Sequence, residues 1–123
     1  MKTIIGLFIF FLFLSCNENK YASLETKKDF NFGERKIGDT IICEFKLKNV
    51  SKIPLKIEQI ATSCGCTVAK ITDSVIMMNE SKILTVNFIP TPNKIGNVKN
   101  SIVINSNTNP NFTVLHIIGK INN

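Results

Sequence analysis

The chain has 123 residues, of which 44% are apolar and 20% charged, with a formal charge of +6. That length suits one domain and argues against a second. Isoleucine, phenylalanine and valine are prominent and tryptophan is absent, which favours pleated sheet over helix. A basic balance alone would fit an anionic partner, but no basic patch interleaved with aromatics marks a nucleic-acid binder.

The first segment reads as an address. Lys2 is followed by an almost wholly apolar run from Ile4 to Leu14, then by Ser15 and Cys16. This is the layout of an export signal, and the run is too short for a membrane span of about 20 apolar residues. Leu12-Phe13-Leu14-Ser15-Cys16 resembles the lipobox of bacterial lipoproteins. The usual leucine three places before the cysteine is replaced by Phe13, flanked by Leu12 and Leu14. The resemblance implies cleavage before Cys16 and lipid on that residue, palmitate included. The other reading is an ordinary signal peptide with a chance cysteine. The expected division is a signal over residues 1–15, a tether over 16–23 and one domain over 24–121. Export also places the chain in an oxidising compartment where disulfides are permitted.

Beyond the tether the period is two. Phe30 to Gly33 ends a first strand with Phe30 and Phe32 on one face, and Gly33 and Gly38 mark turns. Thr40 to Val50 alternates, with Ile41, Cys43, Phe45 and Leu47 opposite Glu44, Lys46 and Lys48, the pattern of a strand with one wet face. Ile53, Leu55, Ile57 and Ile60 follow, with Lys56 and Glu58 outward and Pro54 at a strand start or edge. After the stretch Thr62 to Val68, Asn79-Glu80-Ser81 forms a turn. Leu84, Val86 and Phe88 then point inward, closed by Pro90 and Pro92. Gly96 opens a strand carrying Val98, Ile102 and Ile104, and Asn105 to Asn111 is a polar turn cluster. Phe112 to Ile121 is the last strand, with Leu115, Ile117 and Ile121 on one face, His116 on the other, and Gly119 permitting close backbone approach. About seven short strands, with turns roughly every ten residues, predict an all-β, antiparallel, immunoglobulin-like sandwich.

The segments FNFGERKIGD (Phe30–Asp39), FKLKN (Phe45–Asn49), SCGCT (Ser63–Thr67), TVNFIP (Thr85–Pro90), GNVKNSIVINSN (Gly96–Asn107) and LHIIGKI (Leu115–Ile121) occur in that order. Together they resemble a bacterial family known only as domain of unknown function 1573. The resemblance implies a sandwich of the Hydin and major-sperm-protein type, exported and often lipid-anchored in the Bacteroidetes. It supplies no activity. Where that family commonly has Pro-Gly before a glutamate, this chain has Met78-Asn79-Glu80, and asparagine tolerates the positive φ such a turn asks for.

The candidate site residues are the cysteines. Cys16 is the expected lipid attachment, which leaves Cys43, Cys64 and Cys66 and hence at most one internal pair. Cys43 lies in register with Ile41 and Phe45 and reads as a small core residue. Cys64 and Cys66 admit three readings: a local or Cys43-linked disulfide, thiols packed at a bend, or a redox or soft-metal site. Gly65 suits a small disulfide ring, and that ring would be strained and fairly reducible. Thiolates favour Cu(I), yet two cysteines fall short of the four ligands of a closed zinc site. His116 reads as a solvated residue. Asp29, Asp39 and Asp73 read as turn residues, and Met77-Met78 as core and rim. Lys46, Lys48, Lys52 and Lys56 read as outward residues that keep the sheet soluble and discourage edge pairing, the alternative being a basic surface facing anionic envelope molecules.

The expectation is therefore a non-enzymatic binding or structural module with no cofactor and no metal. It would be lipid-anchored at the outer membrane, on its periplasmic or surface face, and meet an envelope protein or glycan rather than nucleic acid. The rival is a thiol redox or copper-handling protein using Cys64 and Cys66.

Overall fold

The structure is a computed structural model that describes residues 20–123. The expected signal over 1–15 and the expected acylation site, Cys16, lie outside the described residues. Nine strands are formed: β1 (Leu24–Glu25), β2 (Asp29–Lys36), β3 (Ile41–Asn49), β4 (Leu55–Thr62), β5 (Thr67–Ile71), β6 (Val75–Ile76), β7 (Ser81–Phe88), β8 (Gly96–Ser106) and β9 (Phe112–Asn122). Seven have five residues or more, and β1 and β6 have two each. One 3-10 turn, Pro92–Lys94, is the only helical element among the described residues.

The strands form two sheets, ordered β1-β3-β7-β5 and β2-β9-β8-β4-β6. Alternation decides which side chains meet between them. Ile41, Cys43, Phe45 and Leu47 of β3 lie beside Leu84, Val86 and Phe88 of β7 on one inner face, and across the interior lie Leu55, Ile102, Ile104, Leu115, Ile117 and Ile121, all buried. Phe30 meets Phe45 edge-on at 6.0 Å and Phe32 lies 5.9 Å from Phe88, ring centre to ring centre. The two phenylalanines thus bridge the sheets. The result is the expected immunoglobulin-like sandwich of seven principal strands.

Several details differ from the sequence expectation. One pairing is parallel: β2 runs alongside β9, with Asp29 opposite His116 and Lys36 opposite Asn122. Gly33 is not a turn but lies within β2, at φ 75°. There the register shifts between Asn31 and Glu34, the mark of a bulge that only glycine accommodates easily. A second shift, between Ile57 and Gln59 of β4, returns Ile60 to the inner side three residues after Ile57. At Gly119 the close approach is by the Phe32 ring rather than by backbone, since a Cβ there would overlap the ring. Met77 and Met78 are exposed and not in the core. They enter a turn in which Asn79 takes φ 62°, the conformation the sequence assigned to it.

Ala22 and Ser23, read from sequence as tether, are tied to the domain. Ala22 is buried, bridges Thr108 and donates its N–H to Asn107 O at 3.0 Å, while Ser23 O accepts from Val50 N. The Asn107 side chain continues this clasp, accepting from Lys56 N at 2.8 Å and donating to Pro54 O at 2.9 Å. Asn49 does the same for β3. Its amide donates to Ile53 O and Ile76 O at 2.8 and 2.9 Å, and its Oδ1 accepts from Ser51 N and Oγ. A fully satisfied buried amide of this kind stabilises the turn it organises.

Candidate functional site

The connection from β4 to β5 crosses from one sheet to the other in four residues, Ser63 to Cys66. Cys64 and Cys66 are half-buried and joined by a disulfide, their Cα atoms 5.2 Å apart. The bend is held on all sides. Ser63 N donates to Ser101 O at 2.9 Å, and Ser101 N donates to Ser63 Oγ at the same distance. Thr62 Oγ1 lies 3.2 Å from both Cys64 O and Thr67 O. Thr67 N donates to Cys64 O, and Ile89 N to Cys66 O. Buried Asn100 reaches Thr67 Oγ1 at 3.4 Å from β8.

Cys43 is free and fully buried on the inner face of β3. It pairs with Val86 of β7, and β7 in turn pairs with β5, so a whole strand separates Cys43 from the disulfide. Burial pushes its thiol up from 9.0 to about 11, against a smaller downward pull from Arg35. It is therefore a neutral core group at ordinary pH. Among the described residues no three His, Cys, Asp or Glu side chains converge.

The other candidates scatter. His116, on the outer face, has Nδ1 3.4 Å from Asp29 Oδ1 across the parallel pairing, so Asp29 serves a cross-strand contact rather than a turn. Asp39 and Asp73 do what the sequence expects, accepting from Lys36 N and Val75 N at 3.0 Å. Lys46, Lys52 and Lys56 are exposed and Lys48 is half-buried.

The feature least visible in sequence is an open side. At the β5 edge, Cys66 pairs with Ile89 through a hydrogen bond. By the alternation of an antiparallel ladder, Val68 and Lys70 then turn their backbone groups to β7, and Ala69 and Ile71 turn theirs outward. β6 pairs with Leu55 and Lys56 of β4, and Ile57 N donates to Ser74 O at 2.7 Å, so β4 is open beyond Ile57 as well. Half-buried Ile60, Ala69 and Ile71 line a shallow cleft between the two edges.

Among known families, "Protein of unknown function (DUF1573)" matches residues 24–121. The chain belongs to this family. No curated protein matches it. Among solved structures, the DUF1573 chain resembles a protein of unknown function from Porphyromonas gingivalis W83, with TM-score 0.75 and 15% identity. That likeness covers 89% of this chain and 51% of the other, so the chain spans about half the length of that protein. It also resembles the seventh PapD-like (ASH) domain of human CEP192, with TM-score 0.68 and 10% identity over 88% of this chain and 91% of that one. The VesB protease of Vibrio cholerae shares TM-score 0.64 and 12% identity over 81% of this chain and 32% of its own. At such identities these likenesses establish the shared PapD-like, immunoglobulin-like fold, and fold alone does not carry an activity.

Proposed function

We propose that this DUF1573 domain is a non-catalytic binding module of the bacterial envelope, held to the membrane by lipid on Cys16. Its task is to capture an extended segment of an envelope protein on the open side of the sandwich. The observation that carries this reading is the β5 edge. β5 pairs on one side only, with β7, so by the ladder's alternation Ala69 and Ile71 turn their backbone groups outward, beside half-buried apolar side chains. That is the arrangement by which a sheet accepts one more strand, with backbone bonds giving affinity and alternate side chains giving selectivity.

Proline at Ala69 tests the reading. The substitution removes an outward N–H without breaking a β5–β7 hydrogen bond, whereas Lys70→Pro breaks one. The expected result is that Ala69→Pro abolishes recovery of a crosslinked partner from intact envelopes while the protein still melts cooperatively. Undiminished recovery with Ala69→Pro would refute strand addition.

The disulfide favours one second reading, in which Cys64 and Cys66 exchange electrons with a small dithiol: the dithiol is oxidised to its own disulfide as Cys64 and Cys66 become thiols. Loss of envelope function in a Cys64→Ser, Cys66→Ser variant that keeps partner recovery would favour it.

A further inference from the structure

We propose that the outer face of the five-stranded sheet carries a second site, for a neutral glycan laid across Phe112. Cross-strand register assembles it. Gln59, Asn105 and Phe112 form one row over β4, β8 and β9, and Ala61, Val103 and Val114 form the next. Buried Ile102 and Ile104 alternate with Val103 and Asn105, so the two rows stand on the solvent side.

Phe112 is a large aromatic left 53% exposed on this face. It separates two hollows. One, of about 240 Å³, is lined by Gln59, Ala61, Val103, Asn105, Asn111 and Phe112. The other, of about 440 Å³, has Thr26, Thr108, Asn109 and Thr113 among its polar walls and Lys28 as its single charged group. The larger lies within the range of about 300–1,000 Å³ common to small-ligand clefts.

The lining chemistry selects the ligand. Carboxamides and hydroxyls both donate and accept, matching the hydroxyls of a sugar ring, and the apolar C–H face of a pyranose lies flat on an aromatic ring. The first hollow has no charged side chain at all, which disfavours phosphate or an acidic ligand. The adjoining row of Ala61, Val103 and Val114 is neutral too, and charge enters only in the row after it, where Asp29 lies opposite His116. The opposite sheet, by contrast, presents Glu44, Lys46 and Lys70 outward.

Asn105 supplies an independent sign. Its Oδ1 is the one buried side-chain acceptor among the described residues without a hydrogen-bond donor. Such an atom is costly to leave unpaired. Asn105 lines the smaller hollow, and the torsion that carries its amide is broad, so a rotation of the amide offers this unpartnered acceptor to a ligand hydroxyl entering there. Two hollows on either side of one ring fit consecutive sugars of a linear chain, with Phe112 beneath one ring and amides on its flanks.

This site lies apart from the β5 edge, and Ala69→Pro should leave it intact, so the two readings fail separately. The test uses the full chain in a detergent without a sugar headgroup. It is titrated by calorimetry with neutral hexasaccharides: cello-, laminari-, malto-, manno- and N-acetylchitohexaose. At least one should bind at ligand concentrations up to about 1 mM. Amide chemical shifts should change at Gln59, Asn105 and Phe112. Phe112→Ala should weaken binding about ten-fold with cooperative melting retained, Phe112→Tyr should preserve it, and Asn105→Ala should weaken it. Three outcomes would overturn the proposal: no binding of any probe, binding indifferent to Phe112→Ala, or binding confined to acidic oligosaccharides and abolished by salt.

Discussion

Cys43 shows how far a single side chain can be read from its neighbours. Its place in the alternating run Ile41, Cys43, Phe45, Leu47 assigns it to the interior, and there it is found, fully buried. The chemical consequence follows from burial. In the unfolded chain the thiol ionises at 9.0, and burial in the folded chain raises that to about 11. As pH rises, the unfolded state therefore loses its proton first. The contribution to stability is whole below pH 9, declines above it and is exhausted by about pH 11. The gap corresponds to on the order of 2–3 kcal/mol. Urea unfolding should accordingly show the margin of wild type over Cys43→Ala shrinking by about that amount between pH 8 and 11. A margin independent of pH would show that the thiolate is solvated in the native state. Other residues were legible only in part. Asn79 was marked by the conformation its turn demands and adopts it, at φ 62°. Asn49, which satisfies four hydrogen bonds at once, gave no signal. Its sequence neighbours do not disclose that Ile53 O and Ile76 O converge on it.

Strands were legible where their period is regular and obscured where it slips. β3, β8 and β9 alternate without interruption. The bulges in β2 and β4 were not foreseen, although the step of three from Ile57 to Ile60 is the visible trace of the one in β4. Partners were less legible than strands. The parallel pairing of β2 with β9 joins segments more than 80 residues apart, and no local pattern encodes such a contact. The Ser63–Cys66 connection behaves as an element of its own. A disulfide closing so short a loop limits the unfolded chain little, contributing at most about 2 kcal/mol. Meanwhile the Ser63–Ser101 pair and the Thr62 hydroxyl hold the bend by other means. Reduction, or the Cys64→Ser, Cys66→Ser pair, should therefore lower unfolding free energy by less than about 2 kcal/mol and leave strand content unchanged by circular dichroism. A collapse of the fold on reduction would mean that the sulfurs, and not the ladder around them, hold the two sheets in register.

At the scale of the whole domain, the sandwich has two unlike ends. The chain enters where Ala22 is clasped by Asn107 and Thr108, beside Val50 and the turn at Asn79. The disulfide turn sits at the other end, with Val68 opposite Asn87, which itself pairs with Ile42. From Ile42 to Val50 along β3 is about 25–30 Å. Cys16 stands six residues before Ala22, a reach of no more than about 20 Å. If lipid on Cys16 is the anchor, this geometry keeps Val50 near the membrane and holds the disulfide turn, Val68 and the β5 edge away from it, where a partner can approach. A fluorophore placed by Val50→Cys or Val68→Cys reports the difference directly. In the anchored protein the Cys16 sulfur carries lipid, Cys43 is sheltered by burial and Cys64 is joined to Cys66, so labelling falls on the introduced thiol. In vesicles containing headgroup-nitroxide lipid, the label at residue 50 should be quenched several-fold more strongly than that at 68. Equal quenching would place the domain flat on the bilayer, covering one of its faces and overturning the upright orientation on which access to the β5 edge depends.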